Sequence, residues 1–195
     1  MTKSTRKSKK TFGFDEVPGG YVDPIEEWDR EHLPALRIAP GDFEAWIGVT
    51  DNPPGRGLRG PSVCAWQIRR RDAADPEKPE VWPGRPVHSD ESKAYLAAVA
   101  GILDQLPLQS TVVVYCRASW IVDALNGDLD KWAGLDELRE GKRKYYKVWK
   151  HVLERRNQIA ASPGDIKGSR PDQEHDKIIQ ELVDLARTKR PKLRG

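Results

Sequence analysis

The feature that most constrains the fold is the run Thr-Val-Val-Val-Tyr-Cys at residues 111–116, which contains no charged side chain. A continuous run of β-branched and aromatic residues is typical of a central strand that is covered on both faces. Apolar residues recur at helical spacing before this run, from Tyr95 to Leu106, and after it, from Ser119 to Leu125. A buried strand between two helices predicts a layered α/β domain.

Three more strands are predicted ahead of the first helix. Phe43–Asp51 alternates apolar with small or polar residues and stops at a Pro/Gly cluster. Ser62–Arg69 is a second strand, and Val81–Val87, which contains two prolines, is a third and irregular one. Because glycine-rich or polar loops connect them, we expect an antiparallel meander.

The second half of the chain continues the α/β pattern. Asn126 and Gly127 are expected to end the short helix, and apolar residues between 145 and 152 mark another helix. Residues 159–161 are predicted as the last strand, residues 162–170 as a loop, and a closing helix is expected from Pro171. The element order predicts an α/β fold in which a mixed five-stranded sheet, a three-strand antiparallel meander plus parallel strands, is flanked by helices.

Composition divides the chain of 195 residues into three parts. We predict a basic, Pro/Gly-rich N-terminal extension at 1–42, a domain at 43–190 and a basic tail at 191–195. No segment approaches the roughly 18 apolar residues that a membrane helix needs, so no membrane partner is expected. Cys64 and Cys116 lie in strand-like runs, which indicates buried, reduced thiols in a cytoplasmic protein.

Positive charge is concentrated in one internal segment. Residues 139–156 hold eight basic and two acidic side chains, although the whole chain has a net charge of only +3. Such a segment favours a polyanionic partner, most simply nucleic acid, and a solvated helix face is the alternative. The candidate contacts are Lys142, Arg143, Lys144, Lys147 and Lys150, together with Trp132, whose ring is able to stack on a base or sugar.

From about residue 43 to 187, the chain resembles the ribonuclease H family. The resemblance rests on a first strand that ends in Thr50-Asp51, the glycine-rich connection Pro53–Gly60, and the helical run Tyr95–Ala98. It also rests on a strand that leads straight into a helix at 112–125 and on a last helix that begins near Asp176. Trp132 and the basic segment are similar to the family's basic handle.

The resemblance implies a site of four carboxylates that hold two divalent metals for phosphodiester hydrolysis. Asp51 corresponds to the first carboxylate and Asp176 to the last. Ala94 stands where the family has a helix glutamate, and Arg117 stands where it has a carboxylate after the central strand. The family pattern is therefore incomplete in this chain.

Three interpretations of this site remain open. In the first, two-metal catalysis is impaired, and Arg117 pairs with Asp51 and is able to hold a phosphate. In the second, the site is rearranged but active: Asp51, Glu91 and Asp176 bind Mg²⁺, since Glu91 lies one helical turn before Ala94. Further candidates for this second interpretation are Asp90, Asp123 and His175. In the third, the correspondence with the family is displaced along the sequence.

We therefore expect a ribonuclease H-like protein that binds the backbone of an RNA–DNA hybrid or a duplex, with impaired catalysis and no cofactor. One alternative is an active Mg²⁺-dependent ribonuclease that cleaves RNA in hybrids, and another is a protein–protein adaptor on the same fold. Salt dependence of binding separates nucleic-acid contact from an adaptor role. His151 and His175 are expected to face solvent.

Overall fold

The structure is a computed structural model that describes residues 39–50, 62–71, 80–82, 86–87, 91–160 and 165–188. For residues 80–82 and 86–87 only the backbone is considered. The elements, in chain order, are β1 (Asp42–Val49), β2 (Ser62–Arg70), β3 (Glu80–Trp82), β4 (Pro86–Val87), α1 (Glu91–Gln105), β5 (Thr111–Tyr115), α2 (Ser119–Asp123), a π-helical turn (Ala124–Asp128), α3 (Leu129–Gly134), α4 (Tyr146–Ile159), β6 (Ile166–Ser169) and α5 (Gln173–Thr188).

The expected mixed sheet is confirmed. Its main path runs β3-β2-β1-β5-β6, and β4 pairs with β2 beside this path. The β1–β2 and β2–β3 pairs are antiparallel, whereas β1–β5 and β5–β6 are parallel. The sheet has six strands rather than five because the predicted third strand is split into β3 and β4. Pro86 opens β4, in keeping with the preference of proline for the first residue of a strand.

Each face of the sheet carries its own hydrophobic core. On one face, alternate residues of β1 such as Phe43 and Ile47 pack with α1, α2 and α4 in the larger cluster. On the other face, Trp46 packs with Leu182 and Val183 of α5 in the smaller cluster. In β5, Val112 and Val114 face the larger cluster and are buried, whereas Tyr115 faces the smaller cluster and is partly exposed. The second face of β5 is therefore only half-buried. The central position of β5 is confirmed, but its burial is asymmetric.

The last strand lies farther along the chain than the sequence predicts. Ile159 is the final residue of α4, and its buried side chain continues the helical row of Val152 and Arg156. The strand is β6, which falls inside the predicted loop at 162–170. Only Ile166 of β6 is buried, so this short strand has almost no apolar pattern by which to recognise it.

The short helix that was expected to stop at Asn126-Gly127 is kinked there instead. Gly127 has a φ of 133°, which is outside the helical range, but the chain returns to helix at once in α3. The kink directs the Asn126 side chain onto β6, where its amide donates to the Gly168 carbonyl and its carbonyl accepts from the Gly168 amide, both at 3.0 Å. Gly168 has no room for a Cβ, which would lie 2.6 Å from the Val122 backbone.

Both cysteines are buried free thiols, as predicted. Burial raises the pKa of Cys64 and of Cys116 to about 12. Because the thiolate is the reactive form, neither side chain is suited to nucleophilic chemistry at neutral pH.

Candidate functional site

Arg117 and Asp176 form the centre of the candidate site. Arg117 follows β5 directly, and Asp176 lies in the first turn of α5. The Arg117 Nε donates to one carboxylate oxygen of Asp176 at 2.7 Å, and its Nη2 donates to the other at 3.0 Å. The same Nη2 donates to Gln180 one turn later, at 3.2 Å. The guanidinium is thus held in a forked contact with the carboxylate of Asp176, which the sequence analysis predicted as a metal ligand.

This pair is open to solvent but electrostatically well defined. The side chains of Arg117 and Asp176 are 39% and 47% exposed. The hydrogen bonds from Arg117 hold the pKa of the Asp176 carboxyl below its ordinary value of 3.8. Both oxygens of a fully ionised carboxylate are therefore engaged by a protein cation at neutral pH.

Asp51, the first predicted ligand, lies outside the described residues, so its pairing with Arg117 stays a prediction. The chain is described up to Thr50, whose amide donates to the Val63 carbonyl at 2.9 Å. Its hydroxyl accepts from the Val63 amide at 3.0 Å. Because β1 and β5 are parallel neighbours, Thr50 and Arg117 follow their strands at the same edge of the sheet.

Ala94, the position at which the resemblance predicts a glutamate, is closed to solvent. Ala94 is fully buried in the larger core cluster, where α1 packs against the sheet. Glu91 is exposed as the first residue of α1, and Asp123 is exposed at the end of α2. Asp90 lies outside the described residues. A metal-binding role for Glu91 or Asp123 stays a prediction.

The described residues do not fit a two-metal centre. Asp176 is occupied by Arg117, and a guanidinium at this place adds positive charge where two dications need anionic oxygens. Among the residues that the structure describes, no group of three His, Cys, Asp or Glu side chains has metal-binding geometry. No catalytic step through a metal is derived from these side chains.

His175 does not face solvent, contrary to expectation. Its ring lies 3.7 Å, centroid to centroid, from the ring of Tyr115, and its Nδ1 is 2.7 Å from the Asp172 carboxylate. Its Nε2 is 3.9 Å from Glu44. Burial, followed by the charge of Glu44, raises the pKa of Tyr115. These contacts hold the start of α5 against the sheet one residue before Asp176. The expectation was wrong because the sequence does not show which sheet residues pack against the first turn of α5.

Sequence reasoning also missed two polar residues at this edge. Gln180 bonds Arg117, and Arg170, which follows β6, donates from Nη1 to the Arg117 carbonyl at 3.2 Å. Gln180 lies one turn after Asp176 on α5, which was the available signal. Arg170 was assigned to a loop because β6 was not recognised.

The predicted nucleic-acid contacts surround the start of α4. Four lysines of this group are exposed: Lys142, Lys144, Lys147 and Lys150. The Lys144 ammonium also lies 4.8 Å from the centroid of the Tyr145 ring. The farther half of α4 is different, because Asp104 of α1 is 3.1 Å from His151 and 3.5 Å from Arg155. His151 is thus half-buried and paired, contrary to expectation, and the positive surface is confined to the beginning of the helix.

Arg143 differs from its lysine neighbours because it turns inward. Its guanidinium lies 3.6 Å from the centroid of the Trp132 ring and forms an ion pair with Glu137. Trp149 is buried, and its ring packs edge-on against Trp132 at 5.1 Å. Trp149 is therefore a core residue, and the Trp132 ring is already engaged by an arginine and a tryptophan.

With this geometry described, the fold can be compared with solved structures. It is similar to the PFV RNase H domain at 15% identity and a TM-score of 0.52, over 76% of this chain and 94% of that chain. It is similar to a type 1 RNase H with the type 2 active-site motif at 13% identity and a TM-score of 0.58, over 78% and 75%. The foamy viral protease-reverse transcriptase in complex with RNA/DNA hybrid gives 14% identity and a TM-score of 0.56, over 93% and 23%.

These similarities define a ribonuclease H-like mixed α/β fold for the chain. No protein-family model matches the sequence, and no curated protein matches it significantly. None of the described helices is long and apolar enough to cross a membrane.

Proposed function

We propose that this chain is a nucleic-acid-binding protein on a ribonuclease H-like fold, in which two-metal catalysis is impaired. Its partner is the phosphodiester backbone of an RNA–DNA hybrid or a duplex. Binding requires no Mg²⁺, and we propose a cytoplasmic location.

The observation that carries this proposal is the forked contact between Arg117 and Asp176. Both oxygens of Asp176 accept hydrogen bonds from a guanidinium that is permanently charged, so a metal ion at this carboxylate would meet electrostatic repulsion. The pair thus replaces the charge that a metal would bring to this carboxylate. The buried Ala94 in place of a helix glutamate points the same way.

The choice of nucleic acid rests on the exposed lysines at the start of α4. Lys142, Lys147 and Lys150 are exposed before and at the start of α4. Ammonium groups that neutralise phosphates release counterions, so they give affinity without base recognition. The foamy viral enzyme with a similar fold has been solved with an RNA/DNA hybrid, which supports the same class of ligand here.

A cleavage assay tests the catalytic half of the proposal. The full chain is incubated with an RNA–DNA hybrid in Mg²⁺ or Mn²⁺, with and without a chelator. We expect almost no cleavage in either condition. Robust, chelator-sensitive cleavage that is lost in Glu91→Ala would overturn the proposal and establish the active, rearranged site with Asp51, Glu91 and Asp176.

A binding titration tests the other half. Affinity for labelled hybrid, duplex RNA and duplex DNA is measured in chelator over a series of salt concentrations. We expect binding to all three ligands. The slope of log affinity against log salt concentration should become shallower by about 2–3 when Lys142, Lys147 and Lys150 are replaced by Ala, because each phosphate contact contributes about 0.9 to that slope. Absence of binding in low salt would leave the adaptor role as the remaining function.

A further inference from the structure

The connection between α3 and α4, residues 135–145, contains several residues with positive φ angles. We refer to it as the α3–α4 loop. Asp136, Gly141 and Tyr145 have positive φ angles of 53°, 76° and 59°. Positive φ is uncommon for residues other than glycine, so Asp136 and Tyr145 require support from the surrounding side chains.

Arg143, in the middle of the loop, is held against α3. Its guanidinium stacks on Trp132 at 3.6 Å and pairs with Glu137, and its side chain is only 28% exposed. Its Nε is buried and makes no hydrogen bond. A guanidinium that stacks and pairs at once is held in one orientation, which a lysine ammonium cannot reproduce.

The stacked pair is continuous with the core. Trp132 packs edge-on against Trp149 at 5.1 Å, and Trp149 packs edge-on against Trp120 at 5.9 Å. Trp149 is buried between α4 and the rest of the larger cluster. Arg143 therefore ties the loop to the rigid part of the domain through a chain of rings.

Arg143 is flanked by a lysine on each side. Lys142 and Lys144 are exposed, and Lys147 follows in the first turn of α4. We propose that Arg143 is a positioning residue: it clasps the α3–α4 loop onto Trp132 and Glu137 so that Lys142 and Lys144 are presented together to a phosphodiester backbone. This inference rests on the proposed nucleic-acid binding and removes Arg143 from the predicted direct contacts.

The clasp and a simple charge cluster predict opposite signs for one substitution. Glu137→Gln removes a negative charge beside the loop, so a simple charge cluster would bind nucleic acid more tightly. If Glu137 holds Arg143 in place, the same substitution releases the loop, and the lysines must be ordered anew on binding. We expect Glu137→Gln to weaken binding by roughly 3–10-fold.

Glu140→Gln is the matched control. Glu140 lies in the same loop and is exposed, and its replacement removes the same charge without touching the clasp. We expect it to tighten binding by about two-fold, because one repulsive charge is removed. If Glu137→Gln tightens binding as Glu140→Gln does, the proposal is wrong and Arg143 is one cation among several.

Arg143→Lys tests the same point with the charge retained. Lysine keeps the cation but loses the planar stack and fork, so we expect the binding loss of Glu137→Gln to recur. Full wild-type affinity in Arg143→Lys would overturn the positioning role. Both variants should melt close to the wild-type temperature, because Leu138 still anchors the loop in the larger core cluster.

Amide hydrogen exchange of the free protein separates this inference from the proposed function. In Glu137→Gln and Arg143→Lys, the amides of residues 139–144 should exchange faster than in the wild type, with α1 unchanged. Equal exchange in all three proteins would contradict the clasp. If the wild type fails to bind hybrid or duplex, the proposed function is wrong, yet the exchange comparison still decides whether Arg143 holds the loop.

Discussion

Two forked arginine–aspartate pairs in this domain show how one chemical contact serves different purposes. Arg117 and Asp176 join the end of β5 to α5, and both side chains are substantially exposed, at 39% and 47%. Arg156 and Asp130 join α4 to α3, and here the arginine side chain is only 3% exposed whereas the aspartate is 53% exposed. Arg156 donates from both Nη atoms to the two oxygens of Asp130.

The difference lies in what remains when one partner is removed. Without Asp130, the Arg156 cation stays in a buried environment with few other acceptors, which is unfavourable. Without Asp176, Arg117 is still solvated, so little free energy of unfolding is lost. The buried pair therefore stabilises helix packing, and the exposed pair mainly determines which charge the candidate site presents.

The largest expected effect is on the buried pair. Asp130→Ala should lower the free energy of unfolding by on the order of 3 kcal/mol, because it leaves an unpaired buried guanidinium. Urea unfolding measures the change. Asp128→Ala is the control, since the Asp128–Lys131 pair in the same region is exposed and its loss should cost at most about 0.5 kcal/mol. Equal effects of the two variants would contradict the contrast drawn between the pairs.

Acid should weaken both pairs, with the same sign. The hydrogen bonds from Arg156 and from Arg117 hold the pKa of Asp130 and of Asp176 below the ordinary value of 3.8. A carboxyl group whose pKa is lower in the folded state stabilises the protein at pH values above its pKa in the unfolded chain. This stabilisation is lost as the pH falls through the pKa of the folded state, so the loss lies below about pH 4. Urea unfolding at a series of pH values measures how the free energy of unfolding falls with acid. Asp130→Asn should reduce this pH dependence more than Asp176→Asn does.

Arg117→Ala should have a smaller effect on stability but a distinct one on the site. The free energy of unfolding should fall by less than about 1 kcal/mol, since the pair is exposed. Calorimetric titration with Mn²⁺ should detect weak binding that the wild type lacks, because the Asp176 carboxylate is released. Lys177→Ala removes a neighbouring exposed cation without releasing Asp176 and should bind no Mn²⁺. Metal binding by the wild type at the same affinity would refute the blocking role of Arg117.

The smallest expected effect is the response of each pair to salt. In about 1 M NaCl the Debye length is near 3 Å, so the exposed pair is largely screened. The stability difference between the wild type and Arg117→Ala should shrink by a few tenths of a kcal/mol, within the range of an exposed pair. The difference caused by Asp130→Ala should persist. If salt reduced both stability differences equally, the contrast between the exposed and the buried pair would be wrong.

The parts of the fold that follow from local pattern were predicted well. The run at 111–116 indicated the central strand, and the alternation at 43–51 with the glycine-rich connection to 62–69 indicated the hairpin. β6 was missed because its neighbours, rather than its own side chains, make it a strand: only Ile166 contributes an apolar residue to the core. A strand of this kind is defined by its pairing with β5 and leaves little trace in the sequence.

The two residues of the Arg117–Asp176 contact were singled out from the sequence, but the contact between them was not predicted. Arg117 and Asp176 were singled out, yet the expected partner of Arg117 was Asp51, which lies outside the described residues. A salt bridge between positions 59 residues apart depends on how α5 crosses the sheet, and that crossing is set by contacts such as His175 on Tyr115. The inward turn of Arg143 was equally hidden, because a lysine–arginine run does not reveal which member will stack on a ring.

The amide of Asn126, bonded to both backbone groups of Gly168, has a consequence for how this molecule meets other chains. β6 is the last strand of the sheet, and an outermost strand normally offers its unused N–H and C=O groups to any extended peptide nearby. At Gly168 those groups are already taken by Asn126. An incoming strand would therefore have to displace the Asn126 side chain at this position before it could pair with Gly168.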